Sequence, residues 1–267
     1  MPLIPGELDT HVWTEAVARD YDRSSAWMFD PAVLDPTVDF LAEQARGGRV
    51  LELAIGTGRV ALPLAARGLD VAGIELSRPM LDELRRKPGG SDLAVVLGDM
   101  ATTRVEGSFA LVYVVFNAIT NLLTQQAQLR CVENAAAHLA PGGAFVVEVL
   151  VPPVRGLPPG ETFKPFHVSD EHVGIDELDT VNQLLVSHHY TFRDGSGSRF
   201  DSPHRYVWPS ELDLMAHHAG LSLEGRWGDW DRSPFTEDSA SHVSLWRRPS
   251  RPGTPQRSTQ DSADRTT

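Results

Sequence analysis

The sequence is short of cysteine, of basic residues and of long apolar runs. Cys131 is its one cysteine; this excludes an internal disulfide and any cysteine-rich zinc site, and it reads as a buried helix residue. Lys and Arg number 24 against 36 Asp and Glu, a formal net charge of −12. That balance, with no basic stretch studded with aromatics, argues against a nucleic-acid binder, which needs a basic face to meet phosphate. The most apolar windows, 109–123 and 144–151, are shorter than the ~20 residues that span a bilayer, and the first carries Asn117, Thr120 and Asn121. The N-terminus shows no basic region followed by an apolar run. A cytoplasmic protein with no membrane partner is the expectation.

What is present suits one large domain over 1–248, followed by a tail, 249–267, with no large apolar residue to offset its ordering entropy. The tail is expected to be disordered. From 49 to 151, short apolar runs (50–54, 71–74, 93–97, 110–116 and 144–151) alternate with helix-like segments (60–67, 79–87 and 125–139). That pattern predicts βαβ units and a parallel sheet covered on both faces. Pro141-Gly142-Gly143 is expected to stop the last helix and turn into the fifth strand. Beyond 151, prolines break the chain, and strand-like stretches at 163–168, 181–192 and 204–208 predict an appended antiparallel layer over 152–210. Ser210 with an acid three residues on reads as the cap of a short helix, and 221–227 and 242–246 as two final strands. Residues 1–48 form an N-terminal helical lid in this scheme, and 211–248 the final helix and strands.

The sharpest local signal is the passage from a strand into Gly56-Thr57-Gly58 and then a helix. Gly56-x-Gly58-x-x-Ala61 formally fits a dinucleotide fingerprint, which alone is weak. Three acids discriminate between ligands. Glu52 lies near the end of the first strand, Glu75 ends the second and Asp99 the third, so all three should face the crevice at the carboxyl ends of a parallel sheet. A pyrophosphate against the glycine loop would be repelled by Glu52. S-adenosylmethionine has no phosphate and carries an ammonium and a sulfonium, which Glu52 attracts. Glu75, 19 residues after Gly56, is in range of a ribose diol. Asp99 suits an adenine amino group, with Met100 and Leu76 as apolar slabs.

Residues 21–151 resemble a class I S-adenosylmethionine-dependent methyltransferase. The resemblance rests on Glu52-Leu-Ala-Ile-Gly-Thr-Gly58, Glu75, Gly98-Asp99-Met100, the 109–121 strand and loop, and Leu139-Ala-Pro-Gly-Gly143. It implies an α/β fold: a Rossmann-like seven-stranded sheet with a reversed terminal hairpin, here with the antiparallel β layer appended. Ala54 departs from the family, which often has glycine there. A looser likeness, over 152–210, is to bacterial small-molecule methyltransferases of the amino-sugar and secondary-metabolite type. In the family an aromatic such as Tyr21 lies over the cofactor; packing of its helix on the core is the other reading. Phe116-Asn117 follows the fourth strand, where the family's transfer site lies. Asn117 then orients substrate or contacts cofactor, or simply caps the loop.

The acceptor side is less defined. Alternation along 181–192 puts His188 on an apolar face and His189 on a more polar one, and each is a candidate base because imidazole titrates near neutrality. No metal site is read from His188, His189 and His204. Arg205, Tyr206 and Trp230 are candidate substrate contacts. Together these point to methyl transfer to nitrogen or oxygen of a small-molecule acceptor, by a monomer or a homodimer paired through the appended sheet. A non-catalytic module that binds S-adenosylmethionine and an NAD-linked oxidoreductase are the rival readings.

Overall fold

The computed structural model describes residue 3 and residues 12–154, 157–193 and 195–250; most of the tail expected from 249 lies outside them. The described chain opens with α1 (Glu15–Ser24) and α2 (Pro31–Ala45). The sheet elements follow: β1 (Val50–Leu53), α3 (Ala61–Ala66), β2 (Val71–Glu75), α4 (Arg78–Arg86), β3 (Ala94–Leu97), β4 (Phe109–Val114), α5 (Gln125–His138) and β5 (Leu139–Leu150). Next come β6 (Phe163–Val168), β7 (His172–Asp179), β8 (Leu184–Arg193) and β9 (Ser196–Arg205), then α6 (Pro209–His218), β10 (Ser222–Trp227) and β11 (Ser241–Arg247).

Two sheets result. The larger has seven strands in the order β10-β11-β5-β4-β1-β2-β3, and β11 runs antiparallel to β5 while β1 to β5 are mutually parallel. This is the α/β architecture expected, with its reversed terminal hairpin. Strand alternation divides the core. Leu51, Leu53, Val112, Val114, Phe145, Val147 and Trp246 pack under α5 and α6, with the buried Cys131. Val50, Leu111, Tyr113, Val146 and Leu245 pack under α2, α3 and α4. The helices are placed by side-chain caps: Thr14, Asp30, Ser77 and Thr124 each accept from a backbone N–H in the first turn of the helix they precede.

The smaller sheet is the appended layer, a meander in the order β6-β7-β8-β9. Two of its strands differ from expectation. β7 was not foreseen at all, and β9 begins at Ser196, well before the strand-like stretch expected at 204–208. β9 pairs with β8 over ten residues, Leu184 with Arg205 through to Arg193 with Ser196, and that ladder outweighs the poor strand propensity of Ser-Gly-Ser-Arg-Phe-Asp-Ser-Pro.

Two local expectations need correction. Pro141-Gly142-Gly143 does not separate helix from strand: α5 ends at His138, and Leu139 already pairs with Phe109, leaving the irregularity inside the ladder. Ser210 does not cap α6. Pro209 occupies its first position, and Trp208 precedes it without a side-chain cap. Asp213 instead accepts from Arg226 and from the Trp246 indole, at 2.7 and 3.0 Å. Among the described residues no helix is long and apolar enough to cross a membrane.

The two sheets are joined at a buried polar knot. Arg205 donates to Gln183 at 3.1 Å, to Glu211 on α6 at 2.8 Å and to Gln128 on α5 at 2.5 Å. Removing one partner from such a buried pair leaves the other uncompensated. Arg205→Ala is expected to destabilise the protein by about 3–5 kcal/mol, measured as a lower denaturant midpoint at unchanged slope.

Candidate functional site

β1 runs into a turn in which Ala54, Gly56 and Gly58 have φ of 57°, 57° and 81°. Glycine takes this left-handed region freely and alanine does not. At Gly58 a Cβ would also collide with Leu84 of α4. The turn is braced by Glu75 at the end of β2, whose two carboxylate oxygens accept from the N–H groups of Gly56 and Ser77 at 2.8 and 2.7 Å. Burial nevertheless holds the Glu75 carboxyl above its ordinary range. Glu52 lies one strand over, in register with Tyr113 of β4, and the Tyr113 hydroxyl donates to it at 2.8 Å. Glu52 is only 3% exposed. Burial pushes its pKa up to about 8, and Arg59, on the far side of the turn, only partly opposes this.

Glu52, Glu75 and the turn form one end of a cavity of about 1900 Å³. A site for one small ligand takes about 300–1,000 Å³, so this space accommodates two ligands side by side. α1 roofs the cofactor end. Its Asp22 accepts from the Thr57 hydroxyl at 2.6 Å and pairs with Lys87, which itself donates to the Thr57 carbonyl at 2.8 Å. This latch sets Tyr21 in the cavity wall, with its ring edge-on to Trp13. On the other side Phe116 and Asn117 follow β4 with φ of 51° and 60°. The Glu148 carboxylate of β5 accepts from the Phe116 N–H at 2.8 Å, and the Asn117 side-chain carbonyl from the Leu150 N–H at 2.6 Å. Burial raises the Glu148 carboxyl too, against a hydrogen bond from the Trp230 side chain.

The far end of the cavity is the inner face of the four-stranded sheet. Leu185, Ser187, His189 and Thr191 of β8 face inward beside Ser202 and His204 of β9 and Asp176 of β7. His189 Nδ1 lies 3.1 Å from His172 Nε2. Burial, then the neighbouring imidazole, lowers the pKa of His189, and burial and His167 that of His172. His204, between the Thr120 and Ser202 hydroxyls at 2.9 Å each, is lowered by burial to about 4. All three rings are therefore neutral at pH 7.

Of the residues singled out in the sequence, Tyr21, Glu52, Ala54, Gly56, Glu75, Phe116, Asn117, His189 and Tyr206 line this cavity. Others do not. His188 points away from it, held by Glu177 at 3.1 Å and Asp201 at 2.8 Å; its face is acidic where an apolar one was expected. Arg205 sits in the buried knot, and Trp230 packs against Phe40 beneath the sheet. Gly58 supports the turn from behind. Leu76 is exposed; Asp99 accepts from the Ala101 N–H at 2.8 Å, and Met100 is buried in the core under α5. Sequence reasoning passed over Asp22, Arg59, Glu148, His172 and Asp176. Glu148 had a signal, as the one charge within an apolar strand; Asp176 and His172 were hidden with β7.

Two buried acids beside a glycine turn, neither bonded to a cation among the described residues, offer no positive charge to a pyrophosphate and suit a cationic ligand, which draws them to the carboxylate form. The donor set thus fits S-adenosylmethionine and does not fit a nicotinamide dinucleotide. Residues 50–143 match the methyltransferase domain family. The chain is 32% identical over 192 residues to the dTDP-3-amino-3,4,6-trideoxy-alpha-D-glucopyranose N,N-dimethyltransferase of Streptomyces venezuelae, covering 68% of this chain and 75% of that one. It is 27% identical to the cypemycin N-terminal methyltransferase of a Streptomyces species, over 90% of this chain and 99% of the other. The solved CcbJ methyltransferase of Streptomyces caelestis superposes with a TM-score of 0.79 at 36% identity, covering 91% of this chain and all of that one.

Two predictions follow from the turn and its acids. In the ligand-free protein Glu52 is protonated at pH 7, whereas a cation beside it favours the carboxylate. S-adenosylmethionine binding is therefore expected to release a proton, and its affinity to rise with pH towards about 8, by up to roughly tenfold per pH unit. Calorimetry in two buffers of different ionisation enthalpy checks this, with Glu52→Gln expected to abolish the release and flatten the slope relative to wild type. Ala54→Gly relieves left-handed strain against a more flexible unfolded chain. The net gain is about 0.5–1 kcal/mol, read as a rise of about 1–4 °C in the melting temperature.

Proposed function

The chain belongs to the S-adenosylmethionine-dependent methyltransferases; from that premise we propose that it methylates an amine nitrogen of a small polar acceptor held against the inner face of the four-stranded sheet. The observation that carries this reading is the single cavity with buried acids at one end and neutral imidazoles at the other. Two of the relatives named above act on amines, an aminosugar nucleotide and a peptide N-terminus, which favours nitrogen over oxygen.

When bound, S-adenosylmethionine supplies an electrophilic methyl group: the acceptor's lone pair bonds to the carbon as the C–S bond breaks and its electrons pass to sulfur. The remaining work belongs to the protein. Glu52 and Glu75 would hold the positive end and the ribose of the donor, beneath Tyr21. An amine arrives mostly protonated and attacks only when neutral. His189 is placed to take that proton: in the tautomer in which its Nδ1–H donates to His172 Nε2, its own Nε2 keeps a lone pair. Among the described residues Nε2 has no protein partner. His172 acts through His189, by fixing its ring and tautomer. Phe116 and Asn117, held by Glu148 and the Leu150 N–H, would narrow the passage between the two ends and exclude water.

Incubation with methyl-labelled S-adenosylmethionine and a panel of amino sugars and short peptides with free N-termini, each beside its deaminated counterpart, tests this. Label is expected on nitrogen. His189→Ala is expected to lower kcat by about 10²–10⁴-fold with donor binding unchanged by calorimetry. Label found on oxygen alone, or full turnover by His189→Ala, overturns the assignment.

A further inference from the structure

Asp176 is used by nothing described so far. It lies on β7, in register with Lys164 of β6 and Ser187 of β8, on the face that lines the cavity. The Ser187 hydroxyl donates to its Oδ1 at 2.7 Å. Lys164, the cation nearest in register, lines the same cavity but donates to the Pro153 carbonyl at 3.3 Å, and its charge only partly offsets the burial of Asp176. Among the described residues no cation lies within ion-pair distance of Asp176. Burial raises its pKa, as for a carboxylate short of a counter-ion. A carboxylate so placed is costly alone and gains most when a cation completes it.

Its surroundings favour a hydrogen-bond donor. His189 and His204 are neutral, and Ser187, Ser202 and Thr120 present hydroxyls that can accept. Gly174, between Asp176 and His172, has a second role: a Cβ there would collide with the Phe166 ring. Without one, Phe166 crosses β7 and meets the His189 ring edge-on at 5.4 Å. An aromatic ring, a carboxylate and neutral acceptors together suit an ammonium group on a hydroxylated body.

We propose that Asp176, oriented by Ser187, binds the ammonium form of the acceptor's amine and selects amine-bearing acceptors over their hydroxyl counterparts. The inference rests on the methyl-transfer reading and adds the residue that recognises the acceptor's charge. His189 lies diagonally across on the next strand, two residues beyond Ser187, so an amine held at Asp176 arrives beside the group assigned to take its proton.

The test is binding, without turnover. Protein saturated with S-adenosylhomocysteine is titrated by calorimetry with 2-amino-2-deoxyglucose, 3-amino-3-deoxyglucose and kanamycin, and with glucose as the amine-free control. Wild type is expected to bind at least one amine roughly tenfold or more tighter than glucose. Asp176→Asn is expected to raise that Kd about tenfold and erase the preference, with S-adenosylhomocysteine affinity held within about twofold. Ser187→Ala, which leaves the carboxylate in place, is expected to cost about threefold. Glu177→Gln, a charge removed from the opposite face, is expected to change neither. Equal amine binding by wild type and Asp176→Asn, or no amine binding by the loaded wild type, overturns the proposal. Failure of wild type to bind S-adenosylhomocysteine overturns the cofactor assignment, and this proposal with it, and is seen separately.

Discussion

A charged carboxylate taken out of water without a cation is among the costlier things a fold can hold, and burial of Glu52 between β1 and β4 therefore holds it as the neutral acid until a cation arrives. Its place follows from topology. β1 and β4 are neighbours, strand order reverses between them, and ligands bind where it does. Tyr113, in register across that junction, is the one side chain among the described residues that hydrogen-bonds Glu52, and a phenol stabilises a carboxylate far less than an arginine would. An arginine there would fill the ligand's own electrostatic role. The buried acid is thus left incomplete, at a cost in stability, so that binding and ionisation occur together. Glu75 is treated differently: its two backbone hydrogen bonds fix the turn that shapes the site.

Backbone strain is gathered around the same space. Of the six non-glycine residues described with positive φ, Ala54, Phe116 and Asn117 line the cavity. Strained residues persist where their surroundings over-determine them, and here the surroundings can be named. Glu75 fixes the turn that Ala54 enters. Glu148 holds Phe116, and its carboxylate is itself braced by Trp230 from the connection between β10 and β11. The reversed terminal hairpin therefore supports the passage between donor and acceptor through Trp230, and the same connection also lines the cavity at Asp238 and Ala240.

The cofactor half of the molecule was legible because parallel strands buried on both faces write themselves as short apolar runs, and a charge ending such a run stands out. Glu52 and Glu75 were found that way. Asp99 gave the same signal and does not reach the cavity, because it caps its own turn at Ala101. The acceptor half was hidden for a physical reason. β7 interleaves acids with apolar residues, and β9 is rich in serine with a glycine and a proline, so neither has a propensity that declares it; each becomes a strand through its neighbour's ladder. Period-two alternation along β8 correctly separated His188 from His189, yet could not say which face was inward. Only the acids of β7 and β9, invisible as strand residues, show that His188 belongs to an ion-pair cluster.

That separation of faces explains how one small sheet serves both structure and recognition. On one face Arg205 is bound by side chains from α5, α6 and the residue before β8, a knot that fixes β9, and through its ladder β8, against the main core. On the other, one residue along, lie His204, Ser202 and, across the ladder, His189. A strand anchored by alternate residues cannot slide by one position without exchanging its faces, so the knot that stabilises the fold also sets the register of the acceptor wall. Recognition at the inner face can then vary in sequence while the register, and with it the distance to the cofactor turn, stays fixed.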